Sequence, residues 1–202
     1  MSLLLRGTEL IGLPVVTIDG GEDVAEVKDV VYGSGEARLL GFTLNRRGFL
    51  GRPMREVLPW GSVAALGSDA VMIETHGAIA PPSDAFAVTA HASSDQAVLG
   101  ADVLTDSGAR LGMVTDVVVL CSAVPEVVGY EIQASEAMGE RAGRRVFLPL
   151  PNTLAVSGEA LMVPAAAGQF VADDVAGFGA AVEAFRAQLE PGTAPPAQEA
   201  GP

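Results

Sequence analysis

The stretch Val57–Ile73, VLPWGSVAALGSDAVMI, returns ninety residues later as Phe147–Val163, FLPLPNTLAVSGEALMV. In both, a Leu-Pro step precedes a short apolar run, a Gly/Ser/acid turn and a second short run, and the likeness continues upstream. LLGFTL (Leu39–Leu44) matches VVGYEI (Val127–Ile132), EVKDVVY (Glu26–Tyr32) matches MVTDVVV (Met113–Val119), and IGLPVVTIDG (Ile11–Gly20) matches LGADVLTDSG (Leu99–Gly108). The offset stays between 87 and 90 residues throughout. A period this long exceeds that of the common solenoid repeats and reads as two duplicated domains.

Each unit is written in short strands. Val, Ile, Leu and Thr are dense over five to seven residues, and Gly/Asp/Ser clusters separate the runs. Asp19–Gly21 and Asp106–Gly108 supply the turn residues that tight hairpins require. Five or six such strands in a flat sheet would leave exposed edges, and closing them into a small barrel removes the problem. The Leu-Pro step is expected to begin a late strand, where proline is tolerated. Closing hairpins are expected to turn at Gly67-Ser68-Asp69 and at Ser157-Gly158-Glu159.

In the second unit Gly100, Val103, Gly108, Gly112, Val114, Asp116, Val117 and Val118 are followed by a Gly-Tyr strand, a Leu-Pro step and a Glu-Ala-hydrophobic strand. This order resembles the PRC-barrel family, known from the photosynthetic reaction-centre H subunit and from ribosome-maturation factors. The first unit shows the same order through Gly12, Val15, Val27, Asp29, Val30 and Val31, with Ala25 where Gly112 stands. The resemblance implies an all-β fold of two tandem small barrels whose surfaces serve assembly with other proteins. The expected organisation is a barrel over 1–78, a linker over 79–95, a second barrel over 96–168, a C-terminal helix over 169–190 and a disordered tail over 191–202. The helix is read from Val171, Val175, Phe178, Val182, Phe185 and Leu189, one face of a 3.6-residue period. Pro191-Gly192 stops it.

Composition narrows the function classes. The 202 residues are 49% hydrophobic and carry a formal net charge of −13, which disfavours broad nucleic-acid binding. No apolar run is long enough for a spanning helix, and MSLLLRGTELIG is too short for a signal-peptide core. The single cysteine, Cys121 in VVVLCSA, reads as a small buried hydrophobe in a reducing, cytoplasmic setting.

No familiar catalytic signature is present, and the expectation is a protein that is not an enzyme and uses no cofactor or metal. GSGEAR at Gly33–Arg38 lacks the third glycine of a dinucleotide loop and reads as a turn. His76 and His91 have no cysteine near them, and Asp29 and Asp116 sit at equivalent places where a turn hydrogen bond or solvent would satisfy each. Trp60 reads as packing, its counterpart being Leu150. Seven of twelve basic residues fall in two equivalent places: Arg46, Arg47, Arg52 and Arg55, then Arg141, Arg144 and Arg145. Arginine forks suit carboxylate or phosphate, so these residues, with Phe178 and Phe185 of the helix stripe, are the candidate partner-binding set. Pairing with the chain's own acids is the competing account of the arginines. Three functional readings stay open: a protein–protein adaptor, a ribosome-maturation or RNA-processing factor, and a small-ligand binder or enzyme. Peripheral membrane association and self-association are left open too.

Overall fold

The computed structural model describes residues 3–32, 39–48, 51–83, 98–150 and 160–189. Twelve strands form two six-stranded sheets. The first sheet contains β2 (Pro14–Thr17), β3 (Asp23–Tyr32), β4 (Leu39–Asn45), β5 (Pro53–Pro59), β6 (Ala65–Leu66) and β7 (Val71–Ile73), ordered β5-β4-β3-β2-β7-β6. The second contains β8 (Asp102–Thr105), β9 (Arg110–Cys121), β10 (Glu126–Ala134), β11 (Arg145–Pro149) and β12 (Ala160–Val163), ordered β11-β10-β9-β8-β12.

Five strands follow the same order in both sheets, and their registers agree except at the hairpin end of β4–β5, where a bulge sets Asn45 opposite Pro53 while Gln133 lies opposite Arg145. Phe42 lies opposite Leu58 as Tyr130 lies opposite Leu148, and Val30 opposite Phe42 as Val117 opposite Tyr130. The parallel pair β2–β7 sets Val15 beside Val71, while β8–β12 sets Val103 beside Leu161. Because strand side chains alternate between faces, matching registers put matching residues inside. Val27, Leu58 and Ile73 are buried in one unit, Val114, Leu148 and Val163 in the other. These side chains, with Leu5 and Leu10, belong to one contiguous core that runs through both units.

Two expectations need correction. The Leu-Pro steps end β5 and β11 rather than begin strands, because Pro59 and Pro149 sit at the last rungs opposite Gly41 and Gly129. A proline has no N–H to carry the ladder further, and after Pro59 the chain turns through Trp60–Ser62 into β6. Extended pairing therefore reaches back into the arginine-rich segments, so Arg55 and Arg145 are strand residues. The hairpin turn at Gly67–Asp69 is present, closed by Gly67 N–H donating to the Ala70 carbonyl at 3.0 Å. Ser157-Gly158-Glu159, GSGEAR, His91, most of the expected linker and the tail lie outside the described residues.

The second correction concerns the N-terminus. Strand β1 (Leu3–Arg6), which the sequence places in the first unit, pairs antiparallel with β9, Leu3 opposite Cys121 through Arg6 opposite Val118. Strand β9 is twelve residues long, so one of its edges holds β8 at its start and β1 at its end. A short helix, α1 (Gly7–Leu10), then carries the chain back to β2 with Leu10 in the core. Just beyond residue 78 the chain stays against the first sheet: Ile79 is buried and Ala80 bridges Val57.

The C-terminal helix, α2 (Val175–Leu189), starts later than its apolar period suggests. Ala172 pairs with Phe147 and holds the preceding chain extended. Asp174 then caps the helix, its carboxylate accepting from Gly177 N–H at 2.7 Å. Phe178, Val182 and Phe185 are buried against the second unit, Phe178 stacking obliquely on Phe147 with centroids 5.7 Å apart. Gly177 and Gly179 each weaken the helix by about 1 kcal/mol relative to alanine, which burial of two phenylalanines at roughly 1.5–3 kcal/mol apiece outweighs. Glycine is required at 129: a Cβ there would stand 2.4 Å from Phe178 Cζ and 2.3 Å from the Leu148 carbonyl oxygen.

Candidate interaction surface

The partner-binding candidates separate into three groups. Phe178 and Phe185 are fully buried inside their own chain, which removes them from any docking surface. Periodicity identified the apolar face correctly but could not say what covers it.

The arginines of the second unit are engaged by that unit's acids. Arg141 Nε lies 3.2 Å from Asp173 Oδ1, and Arg144 Nη1 approaches the same oxygen at 4.0 Å. Arg145 Nη1 lies 3.5 Å from Oε2 of Glu131. Glu131 is only 3% exposed, and Arg6 Nε meets its other oxygen at 3.2 Å while Thr115 Oγ1 donates at 3.3 Å. The Arg6 guanidinium also lies over the Phe147 ring, 5.1 Å from its centroid.

In the first unit the pairing is different. Arg47 is held by Asp23 and by Glu26, the latter at 2.8 Å. Its pKa is pushed above the ordinary value, mainly by the hydrogen bond to Asp23. Arg46, Arg52 and Arg55 are exposed and make no ion pair among the described residues. Arg46 N–H donates to the Arg52 carbonyl at 2.9 Å, and Gly51 N–H to the Gly48 carbonyl at 3.1 Å, so the three arginines flank a tight hairpin end. No described ion pair joins this hairpin to the one carrying Arg141–Arg145.

The structure also brings together a second set, in which Asp116, expected to take a turn hydrogen bond or face solvent, meets a distant partner instead. Asp116 is 4% exposed, and it accepts from the Thr8 hydroxyl, from Thr8 N–H at 3.3 Å and from Val117 N–H at 2.8 Å. Arg6 to Glu131 and Thr8 to Asp116 thus pin the N-terminal segment onto β9 and β10. Buried carboxylates without such partners would be strongly unfavourable. Thr8 and Asp116 are 108 residues apart, and nothing local in either stretch points to the other.

The remaining candidates take structural places. Trp60 packs obliquely on Phe42 at 6.1 Å. His76 opens an exposed turn capped by Thr75, and no cluster of three metal-ligating side chains occurs among the described residues. Cys121 is buried, and burial pushes its thiol pKa up to about 11, which keeps it protonated and poorly nucleophilic near neutral pH. No helix among the described residues is long and apolar enough to cross a membrane.

A mostly β protein of two sheets, one curled into a half-barrel, with a C-terminal helix, is the class that this geometry defines. Residues 4–78 match the family described as the PRC-barrel domain, so the chain carries a PRC-barrel domain over its first unit. The matched span begins with β1, the strand that completes the other sheet. No curated protein matches the chain.

Proposed function

We propose that the chain is a non-enzymatic, cytoplasmic assembly adaptor built from two PRC-type barrels, the second being a copy of the first. Coincident strand order and register support the duplication. The observation that carries the adaptor reading is the hairpin of Arg46, Arg52 and Arg55: three exposed arginines with no ion pair among the described residues, on a chain whose acids outnumber its basic residues 25 to 12. With so many internal carboxylates to choose from, a basic hairpin left unneutralised is a local exception to the molecular field. Such exceptions orient approach and select complementary surfaces.

Affinity capture with the full chain from its native host, followed by titration of each captured protein against the purified chain, tests this reading. A protein that binds stoichiometrically is the expected result. Recovery of ribosomal particles in its place, or of no stoichiometric protein, overturns it.

A further inference from the structure

The two hairpins occupy the same place in their sheets, and the acids that satisfy one are missing from the other. Counting from the shared Leu-Pro step, Arg55 stands where Arg145 stands. Arg145 lies opposite Gln133 and pairs diagonally with Glu131, which lies opposite Phe147. The equivalent position in β4, one residue after Phe42 as Glu131 is one after Tyr130, is Thr43. The Thr43 hydroxyl is buried with no hydrogen-bond partner. The second acid follows the same rule. Ala172 bridges Phe147 and is followed by Asp173, which takes Arg141 and Arg144. In the first unit Ala80 bridges Val57, Phe147's counterpart, and is followed by Pro81. Thr43 and Pro81 thus replace the two carboxylates that neutralise the arginines in the second unit.

The apolar part of the surface differs in the opposite sense. Val31 and Val57, which correspond to Val118 and Phe147 beneath α2, are already buried in the first unit. What remains open there is charge, not an apolar groove. We infer that Arg46, Arg52 and Arg55 form a docking site for an acidic protein segment, which supplies in trans the carboxylates that Asp173 and Glu131 supply in cis. This assignment rests on the adaptor reading and names the chemistry of its partner. The pairing of Asp173 with Arg141 and Arg144 shows the mode: a carboxylate at an extended stretch of chain, shared by two guanidinium groups.

The test uses the full chain and a fluorescent fifteen-residue peptide of alternating glutamate and glycine, with phosphatidylserine vesicles as a second arm. The Arg46→Ser/Arg52→Ser/Arg55→Ser variant is expected to bind the peptide about tenfold more weakly. The Arg141→Ser/Arg144→Ser variant should match the parent, and raising the salt should weaken the parent toward the triple variant. Equal peptide binding by parent and triple variant overturns the site. Arginine-dependent binding to vesicles but not to peptide overturns the choice of an acidic protein segment. If the triple variant retains the partner captured from the host, the adaptor reading stands and this hairpin is not its contact.

Discussion

Asp29 and Asp116 hold equivalent positions in equivalent strands, yet their surroundings have little in common. The Asp29 side chain is 56% exposed and has only a loose contact with its neighbour Lys28, at 3.9 Å. Asp116 is buried beneath α1 and takes three hydrogen bonds. The strands beneath are alike; what differs is the covering. The second unit borrows β1 and α1 from the N-terminus, which partner the buried Glu131 and Asp116, and α2 from the C-terminus, which covers Phe147 and Val118. The same sheet therefore serves as an interior scaffold in one half and as an exposed platform in the other.

Removing the borrowed strand should separate the halves most sharply. A chain beginning at Gly7 loses the Leu5 packing, uncovers the end of β9 and strips Arg6 from the buried Glu131. The summed cost, about 5 kcal/mol or more, is comparable with the net stability of a domain. Limited proteolysis should then cut first within residues 98–150. Cleavage that starts in the first unit would mean that β1 contributes little to the second.

Truncating Phe178 to alanine opens a cavity beside Phe147 and Gly129, and should cost about 3–5 kcal/mol in denaturant unfolding. The effect should be accompanied by early protease cleavage in α2. A loss below 1 kcal/mol would show that the helix is only loosely attached. The smallest effect isolates the aspartates themselves. Asp116→Asn should destabilise by about 1–3 kcal/mol through its buried hydrogen bonds, and Asp29→Asn by less than about 0.5 kcal/mol. Equal shifts in the unfolding midpoint would erase the distinction drawn here.

How much of this was legible in the sequence follows from the range of the interactions. Strand identity and register could be read because alternation and turn residues are local, and because the repeat supplied each reading twice. The Leu-Pro error arose from the same locality: proline marks a ladder's limit without saying on which side the ladder lies. The positions of β1 and α2 were out of reach, since Leu5 opposite Val119 and Phe178 on Phe147 are pairings of distant residues with no shared motif. The arginine clusters were visible as composition. Their division into neutralised and open sets depends on Glu131, Asp173, Thr43 and Pro81, unremarkable residues until register aligns them.

The crossing of β1 into the other sheet also has a consequence for how the chain is made. Leu5 leaves the ribosome 114 residues before Val119, its partner in the ladder. At about 5–20 residues per second, that partner follows roughly 6–23 seconds later. The first sheet can pair its own strands within that interval, while four apolar-rich residues wait for a place that has not yet been synthesised. Completion of the second sheet is thus tied to a strand made long before the rest of that sheet. Nascent chains stalled before residue 119 should be the ones that engage chaperones.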